Sequence, residues 1–366
     1  MSSARRDPHR LKIAVLCQAS AGRADGIRDH ALGLVDAVQN EGHVADLRAR
    51  TDTGSWRSLD GSERQRLTDG LGDYDAVLLE YNPFMYGRWG FAPWLPVAFA
   101  RLRLHRRRPR IVVAVHEPFV RATGVRTLVM AVWQRAQLFA LRAEADVLLV
   151  TVEAWARELE GWRPSRPTRQ LPSGSALPDR RAGREAARIR IGAASDAIVV
   201  ATFSSGHPSH RDDLVTGAVA QLASTRPVIL LALGARQAPS GPPGVRIVAP
   251  GYLPAEEVAE LLAAADLFLA PLVDGVSNRR TSVLAALQQG VAVIGTNGPL
   301  TDSSLATSEG IALAPVGDSG AFCALAARFS DEAGERAALA AAGRALYEER
   351  YAPRVLARIV IDACRA

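Results

Sequence analysis

The residues best suited to chemistry fall in short polar stretches set between apolar runs. In 274–280 the order Asp-Gly-Val-Ser-Asn-Arg-Arg leads directly into an apolar helical pattern opened by Thr281 and Ser282. Free amides and the dipole at a helix N-terminus favour an anion, and a cation placed there alone is mildly unfavourable. Arg279 and Arg280 in that position therefore point to a bound anion such as phosphate, with solvent exposure of both as the plainer alternative. Asp274 sets a carboxylate beside them in what is also an ordinary Asp-Gly turn with Gly275. A second stretch, His116-Glu117-Pro118, puts an imidazole and a carboxyl side by side after an apolar run. Further polar groups are Gly22, Gly26 and Asp29 ahead of a helical pattern, then Ser205, Gly206, His207 and Arg211, then Gly251 and Tyr252. Lys12 is the only lysine and it opens a strand, which excludes P-loop and Schiff-base chemistry.

The elements that must position these groups are short β-branched runs at 13–17, 76–79, 111–115 and 147–150, separated by helical patterns such as 31–39 and 128–142. Alternation of that kind predicts βαβ units and a parallel sheet. A Pro- and Gly-punctuated stretch at 163–183 interrupts it, and the pattern restarts at 197–203, 228–233, 245–248, 267–270 and 291–295. The chain is thus expected to hold an N-terminal domain at 1–178 and a second α/β domain at 179–345, with a final helix, 346–366, packing back on the first. In open parallel sheets ligands bind beyond the carboxyl ends of the strands, and every polar group named above follows a strand.

Composition narrows the function classes. With 48% hydrophobic and 22% charged residues the chain is globular, its apolar runs are too short to span a membrane, and it shows no secretion signal, so a cytoplasmic location is expected. Three cysteines without C-x-x-C spacing support neither a disulfide framework nor a zinc site. The basic excess is local: 101–110 carries six arginines and no acid, unlike the dispersed charge of a nucleic-acid binder. A solvated helix end is one reading of that patch, and peripheral membrane contact is the less favoured one. The loop 81–94 crowds Tyr81, Phe84, Tyr86, Trp89, Phe91 and Trp94, whose flat rings suit sugar faces or an apolar ligand; core packing is the plainer reading for most of them, with Tyr81 and Tyr86 kept as contacts.

The stretch 251–298, GYLPAEEVAELLAAADLFLAPLVDGVSNRRTSVLAALQQGVAVIGTNG, resembles the donor-binding region of the retaining GT-B glycosyltransferases of family 4. DGIRDH at 25–30, GHV at 42–44, VAVHEP at 113–118 and LPSGSALP at 171–178 resemble further signatures of that family, the last with Ser173 in place of its Asn. The resemblance implies an α/β GT-B fold, two Rossmann-like domains facing across a cleft. It implies a donor site of Gly22, Gly26, Ser205, Gly206, His207, Arg211, Gly251, Tyr252, Gly275, Val276, Ser277, Arg279, Thr281 and Ser282. It also implies a catalytic group of Asp274, His116, Glu117 and Arg280, and an acceptor side holding Asp29, Tyr81 and Tyr86.

Two departures accompany the match. The family carries two glutamates eight positions apart, whereas here Asp274 replaces the first and Ser282, or Ala285 after an insertion, replaces the second. The Arg and Lys that clamp the diphosphate after the second domain's first strand are also absent, leaving Arg279 and Arg280 as the available cations. Asp73-Tyr74-Asp75 is similar to the metal-binding Asp-x-Asp of the other major glycosyltransferase fold, but it precedes a strand and so lies at the opposite end from the site. The expectation is a metal-independent retaining transferase without a resident cofactor. It would take a UDP- or GDP-linked sugar and pass it to a small-molecule, glycan or lipid-linked acceptor. A nucleotide-sugar epimerase of the same fold and a noncatalytic binding relative are the alternatives, while an NAD enzyme would need G-x-G-x-x-G after a first strand, which is missing.

Overall fold

The structure, a computed structural model, describes residues 10–18, 26–50, 65, 68–163, 165–203, 208–235 and 241–365. The chain forms two compact units, Met1–Pro172 with Pro353–Ala366, and Ser173–Ala352. The division therefore falls at 172/173, ahead of the 178/179 expected, and the returning helix is Pro353–Arg365. Pro353 starts a new helix after Ala333–Arg350 because proline lacks the N–H that would continue the earlier one.

The N-terminal unit is built on strands β1 (Lys12–Gln18), β2 (Val44–Arg50), β3 (Ala76–Tyr81), β4 (Arg110–Val115), β5 (Val147–Val150) and β6 (Thr168–Gln170). They pair in the order β2-β1-β3-β4-β5-β6, every pair parallel. A parallel sheet is covered on both faces, so its strands read as continuous apolar runs; β3 is buried at all positions, its glutamate included. The helix Pro353–Arg365 joins this core through Leu356, Ala357, Val360, Ile361 and Cys364, and Arg110 Nε donates to Ala363 O at 2.8 Å.

The C-terminal unit repeats the plan with β7 (Ile198–Phe203), β8 (Val228–Leu233), β9 (Val245–Val248), β10 (Leu267–Ala270), β11 (Ala292–Asn297) and β12 (Ala312–Pro315), ordered β12-β11-β10-β7-β8-β9. These pairs too are parallel. Two edge strands, β6 and β12, depart from the expected pattern. β6 lies inside the stretch read as an interruption and has the polar sequence Thr-Arg-Gln, which only an edge tolerates.

Strand order locates the crevices. In the N-terminal unit the chain steps from β1 out to β2 and then returns to lay β3 on the other side of β1; in the C-terminal unit it makes the same reversal between β7 and β10. Helix N-termini and loop amides diverge at such switch points and leave room for a ligand. The segments that follow β1, β3, β7 and β10 are the ones the sequence marks as polar.

Candidate active site

In the C-terminal unit the two switch-point loops are laced together. His210 and Leu272 form an antiparallel bridge, Arg211 N donates to Pro271 O at 2.9 Å, and Val273 N donates to Ser209 O at 3.0 Å. Thr296 of β11 holds the loop from the other side, its Oγ1 accepting from Leu272 N at 2.8 Å and donating to Leu272 O at 2.6 Å. Gly275 completes the turn with φ +84°, and a Cβ there would fall 2.2 Å from Thr301 Oγ1 and 2.4 Å from Gly298 N. Only glycine meets both demands.

Asn278 then fixes the direction in which the arginines leave the loop. It is buried, and its N donates to Asp302 Oδ2 at 2.6 Å while its Oδ1 accepts from Tyr351 OH at 2.8 Å. Its own carbonyl accepts from Ser173 N at 2.9 Å. Next along the chain, Arg279 Nη2 stands 4.0 Å from Asp274 Oδ2, and Arg280 Nη1 donates to Ser209 Oγ at 3.3 Å. Arg280 is also the residue before the helix Thr281–Gln288, whose first turn contains no acid. Two guanidinium groups, a helix N-terminus and the half-buried Thr281 and Ser282 thus share one loop end. This is the composition of a site for a di-anionic group.

Some expected donor contacts are placed otherwise. Val276 and Ser277 turn inward, both at 1% exposure or less, and Val276 N is used by Thr296 O at 2.8 Å, so these side chains pack the unit instead of lining its surface. Arg211 grips Asp213 through two bonds, at 2.8 and 2.6 Å, and this partner pushes the guanidinium pKa up. Its charge is therefore largely answered within the first turn of the helix Asp212–Ala223. Gly251 and the exposed Tyr252 follow edge strand β9, two strands from the β7/β10 switch point. Gly22, Ser205, Gly206 and His207 lie outside the described residues.

In the N-terminal unit three buried groups converge at the ends of adjacent strands. His30 sits in the first turns of the helix Gly26–Asn40 after β1, Glu80 near the end of β3, and His116 directly after β4. His116 Nε2 lies 2.5 Å from Glu80 Oε2, and the His30 and His116 rings meet edge to face at a centroid distance of 5.2 Å. In the neutral tautomer whose Nε2–H donates to Glu80, Nδ1 is the ring's acceptor. Burial lowers the His30 pKa from 6.5 to about 4, with His116 adding to that and the Glu80 carboxylate opposing it. His30 is thereby neutral at physiological pH. The donor atoms of His30, Glu80 and His116 lie within 4.8 Å of one another, a set that could hold a d-block cation, though the Glu80–His116 hydrogen bond already uses one atom of each partner. Glu117 is turned from this cluster to Asn82, whose Nδ2 donates to its Oε2 at 3.2 Å.

The acceptor side needs correction. Tyr81 and Tyr86 are core residues: Gln137 Nε2 donates to the Tyr81 hydroxyl at 3.2 Å, and the Tyr86 hydroxyl donates to Glu80 O at 2.7 Å. Burial pushes the Tyr81 phenol pKa up, and with both side chains buried neither ring is presented to an acceptor. Asp29 and Gly26, by contrast, are exposed at the start of their helix. Asp73-Tyr74-Asp75 lies at the amino end of β3, where Asp75 Oδ2 accepts from Lys12 N at 2.8 Å and the Tyr74 hydroxyl donates to Asp46 at 2.9 Å.

Sequence reasoning passed over Glu80, His30 and Asn278. Glu80 had a visible signal, a carboxylate within the apolar run Ala-Val-Leu-Leu-Glu-Tyr at the ligand-facing end of a strand. Asn278 had none, because its partners Asp302 and Tyr351 are remote in sequence.

No protein-family model matches the sequence, and no curated protein matches it. Solved structures do match over nearly the whole chain. The sucrose-phosphate synthase of Thermosynechococcus elongatus superposes with TM-score 0.70 at 16% identity, covering 97% of this chain and 98% of that one. Anabaena HepE in complex with UDP-glucose gives 0.66 at 15%, covering 96% and 99%. WaaG, a glycosyltransferase involved in lipopolysaccharide biosynthesis, gives 0.63 at 14%, covering 97% and 100%. At such identities the likeness speaks to architecture, and the architecture is the two-domain α/β GT-B fold.

Proposed function

We propose that the chain is a retaining glycosyltransferase that takes a nucleotide-activated sugar, with UDP as the first candidate for the nucleotide. The observation that carries this reading is the arginine pair leading into the helix Thr281–Gln288 at the β7/β10 switch point. Departure of a nucleoside diphosphate builds negative charge on the leaving oxygen. Preplaced guanidinium groups and helix amides stabilise that charge more in the transition state than in the ground state. Asp274, held 4.0 Å from Arg279, would orient the donor sugar, and the pairing keeps its carboxylate from facing the phosphates alone. Solved structures of the same fold contain UDP-glucose and UDP, which supports a uridine nucleotide.

In this reading the leaving phosphate accepts the acceptor's proton on the face it vacates, so no protein base is required and configuration is kept. His116, its Nε2 committed to Glu80, would offer Nδ1 to a sugar hydroxyl. Charge stabilisation by arginine makes the transfer step independent of a metal. The test is incubation of the full chain with UDP-, GDP- and ADP-linked sugars, reading release of nucleoside diphosphate together with the thermal midpoint. A ligand of the native state raises the midpoint. Turnover or a raised midpoint with one nucleotide series is expected, and no response to any of them would overturn the proposal.

A further inference from the structure

The helix Val125–Glu144 is apolar on two faces: Met130, Ala131, Leu138 and Leu141 are buried, and a second apolar stripe is left exposed, which a solvated surface helix does not need. Its inward face holds Gln134 and Gln137, both buried. Gln134 accepts from Val120 N at 2.9 Å and donates to Trp89 O at 3.1 Å; Gln137 Oε1 accepts from Ala92 N at 2.6 Å. The outward face carries Val125, Leu128, Val129, Val132 and Phe139, exposed by 46–82%. Their spacing puts them on one stripe.

The stripe continues onto the preceding loop. Trp89 is 48% exposed and Phe91 57%. The Phe91 ring meets the Trp133 ring edge on at 5.9 Å, and Trp133 Nε1 donates to Trp89 O at 3.2 Å. Trp89 itself is held at φ +57°, a left-handed conformation disfavoured for any residue with a Cβ, and two side-chain bonds to its carbonyl brace it there. A contiguous apolar face of this kind left in water marks an interaction surface.

Charge decides what covers it. The loop and the helix that carry the stripe hold Arg88, Arg126 and Arg135 at exposed positions, Arg135 lying 3.6 Å from Glu158, and the only acid of the helix is Glu144 at its end. The guanidinium groups of Arg88 and Arg126 lie 4.9 and 5.2 Å from the centre of the Trp89 ring, at the edge of the apolar face. A second copy related by a two-fold axis would set arginine against arginine. An anionic lipid surface instead takes the stripe into the acyl boundary and the guanidinium groups at headgroup level, with tryptophan between. Among the described residues no helix is long and apolar enough to cross a bilayer. We infer that this face anchors the protein to an anionic membrane surface, the helix Val125–Glu144 lying in the interfacial plane. The patch at 101–110 is less suited, because Arg103 pairs with Asp146 at 2.7 Å, Arg107 with Asp73 at 3.2 Å, and Arg110 is tied to Ala363 O. The inference holds whether or not the chain transfers a sugar.

The experiment is co-sedimentation of the full chain with vesicles of phosphatidylcholine alone and of phosphatidylcholine mixed with phosphatidylglycerol, at low and high salt. Wild type should partition onto the anionic vesicles in a salt-sensitive way. The double variant Leu128→Glu with Val132→Glu, both at solvent-exposed positions, should partition about tenfold more weakly or worse while keeping the wild-type unfolding curve. Arg106→Gln with Arg107→Gln and Arg108→Gln should have a smaller effect than the Leu128/Val132 pair. Absence of vesicle binding, equal binding of the Leu128/Val132 variant, or loss confined to the Arg106–Arg108 variant would each overturn the assignment. A concentration-dependent dimer abolished by Leu128→Glu with Val132→Glu, without vesicle binding, would overturn it in favour of a second copy.

Discussion

Acidification should weaken the N-terminal unit through His30. Burial holds this imidazole at a pKa of about 4 against 6.5 for the free side chain. The unfolded chain therefore takes up the proton first as pH falls below 6.5, while the folded chain resists until about 4. Stability attributable to the neutral ring is intact above 6.5, declines between those values and levels off below the lower one. At 1.36 kcal/mol per unit the loss amounts to about 3 kcal/mol, a large part of a domain's net stability. All six tryptophans lie between positions 56 and 162, so tryptophan emission reports on this unit alone. Urea unfolding followed by that emission from pH 7 to pH 4, for wild type and His30→Gln, isolates the contribution, because other groups titrate in both proteins. Wild type should lose about 3 kcal/mol more than the variant over this interval. Parallel stability curves would refute the assignment of a neutral, desolvated His30.

Other expectations concern the C-terminal unit and the reaction. Arg280→Ala should lower donor turnover ~100-fold, with Arg279→Ala as its matched comparison, since each removes a cation from the leaving group; normal rates in the double variant would remove the diphosphate role. Gly275→Ala forces a Cβ to within 2.2 Å of Thr301 Oγ1 at φ +84°. It should destabilise the C-terminal unit by about 2–4 kcal/mol, read as a lowered calorimetric transition with the tryptophan-detected one unmoved. Activity should survive EDTA, and the product should keep the donor's anomeric configuration, read from its anomeric proton coupling; an inverted product would exclude the retaining mechanism.

Most of the strands and the repeat of two α/β units were legible in the sequence because parallel strands buried on both faces are near-continuous apolar runs, as in Ile-Val-Val-Ala-Val of β4. The polar edge strand β6 was not, because edge strands need no such run. At the candidate site, the closeness of Arg279, Arg280 and Asp274 between a strand and a helix was legible, since local order alone places them together. Residues that act through distant partners could not. Asn278 is defined by Asp302 and Tyr351, and although His116 was legible from its place after β4, its grouping with Glu80 and His30 rests on the adjacency of β1, β3 and β4. Tyr81 and Tyr86 misled for a related reason: an aromatic cluster in a loop-rich stretch has the same composition whether its rings face solvent or core.

The reading of the β7/β10 switch point as a nucleotide diphosphate site is tested most directly by calorimetric titration of UDP into the full chain and into the Arg279→Ala, Arg280→Ala double variant. Each lost charge-assisted contact is worth about 1.5–3 kcal/mol, so saturable binding by wild type should weaken at least a hundredfold in the variant. Equal affinity in the two proteins, or no binding of UDP, GDP or ADP by wild type, would contradict it.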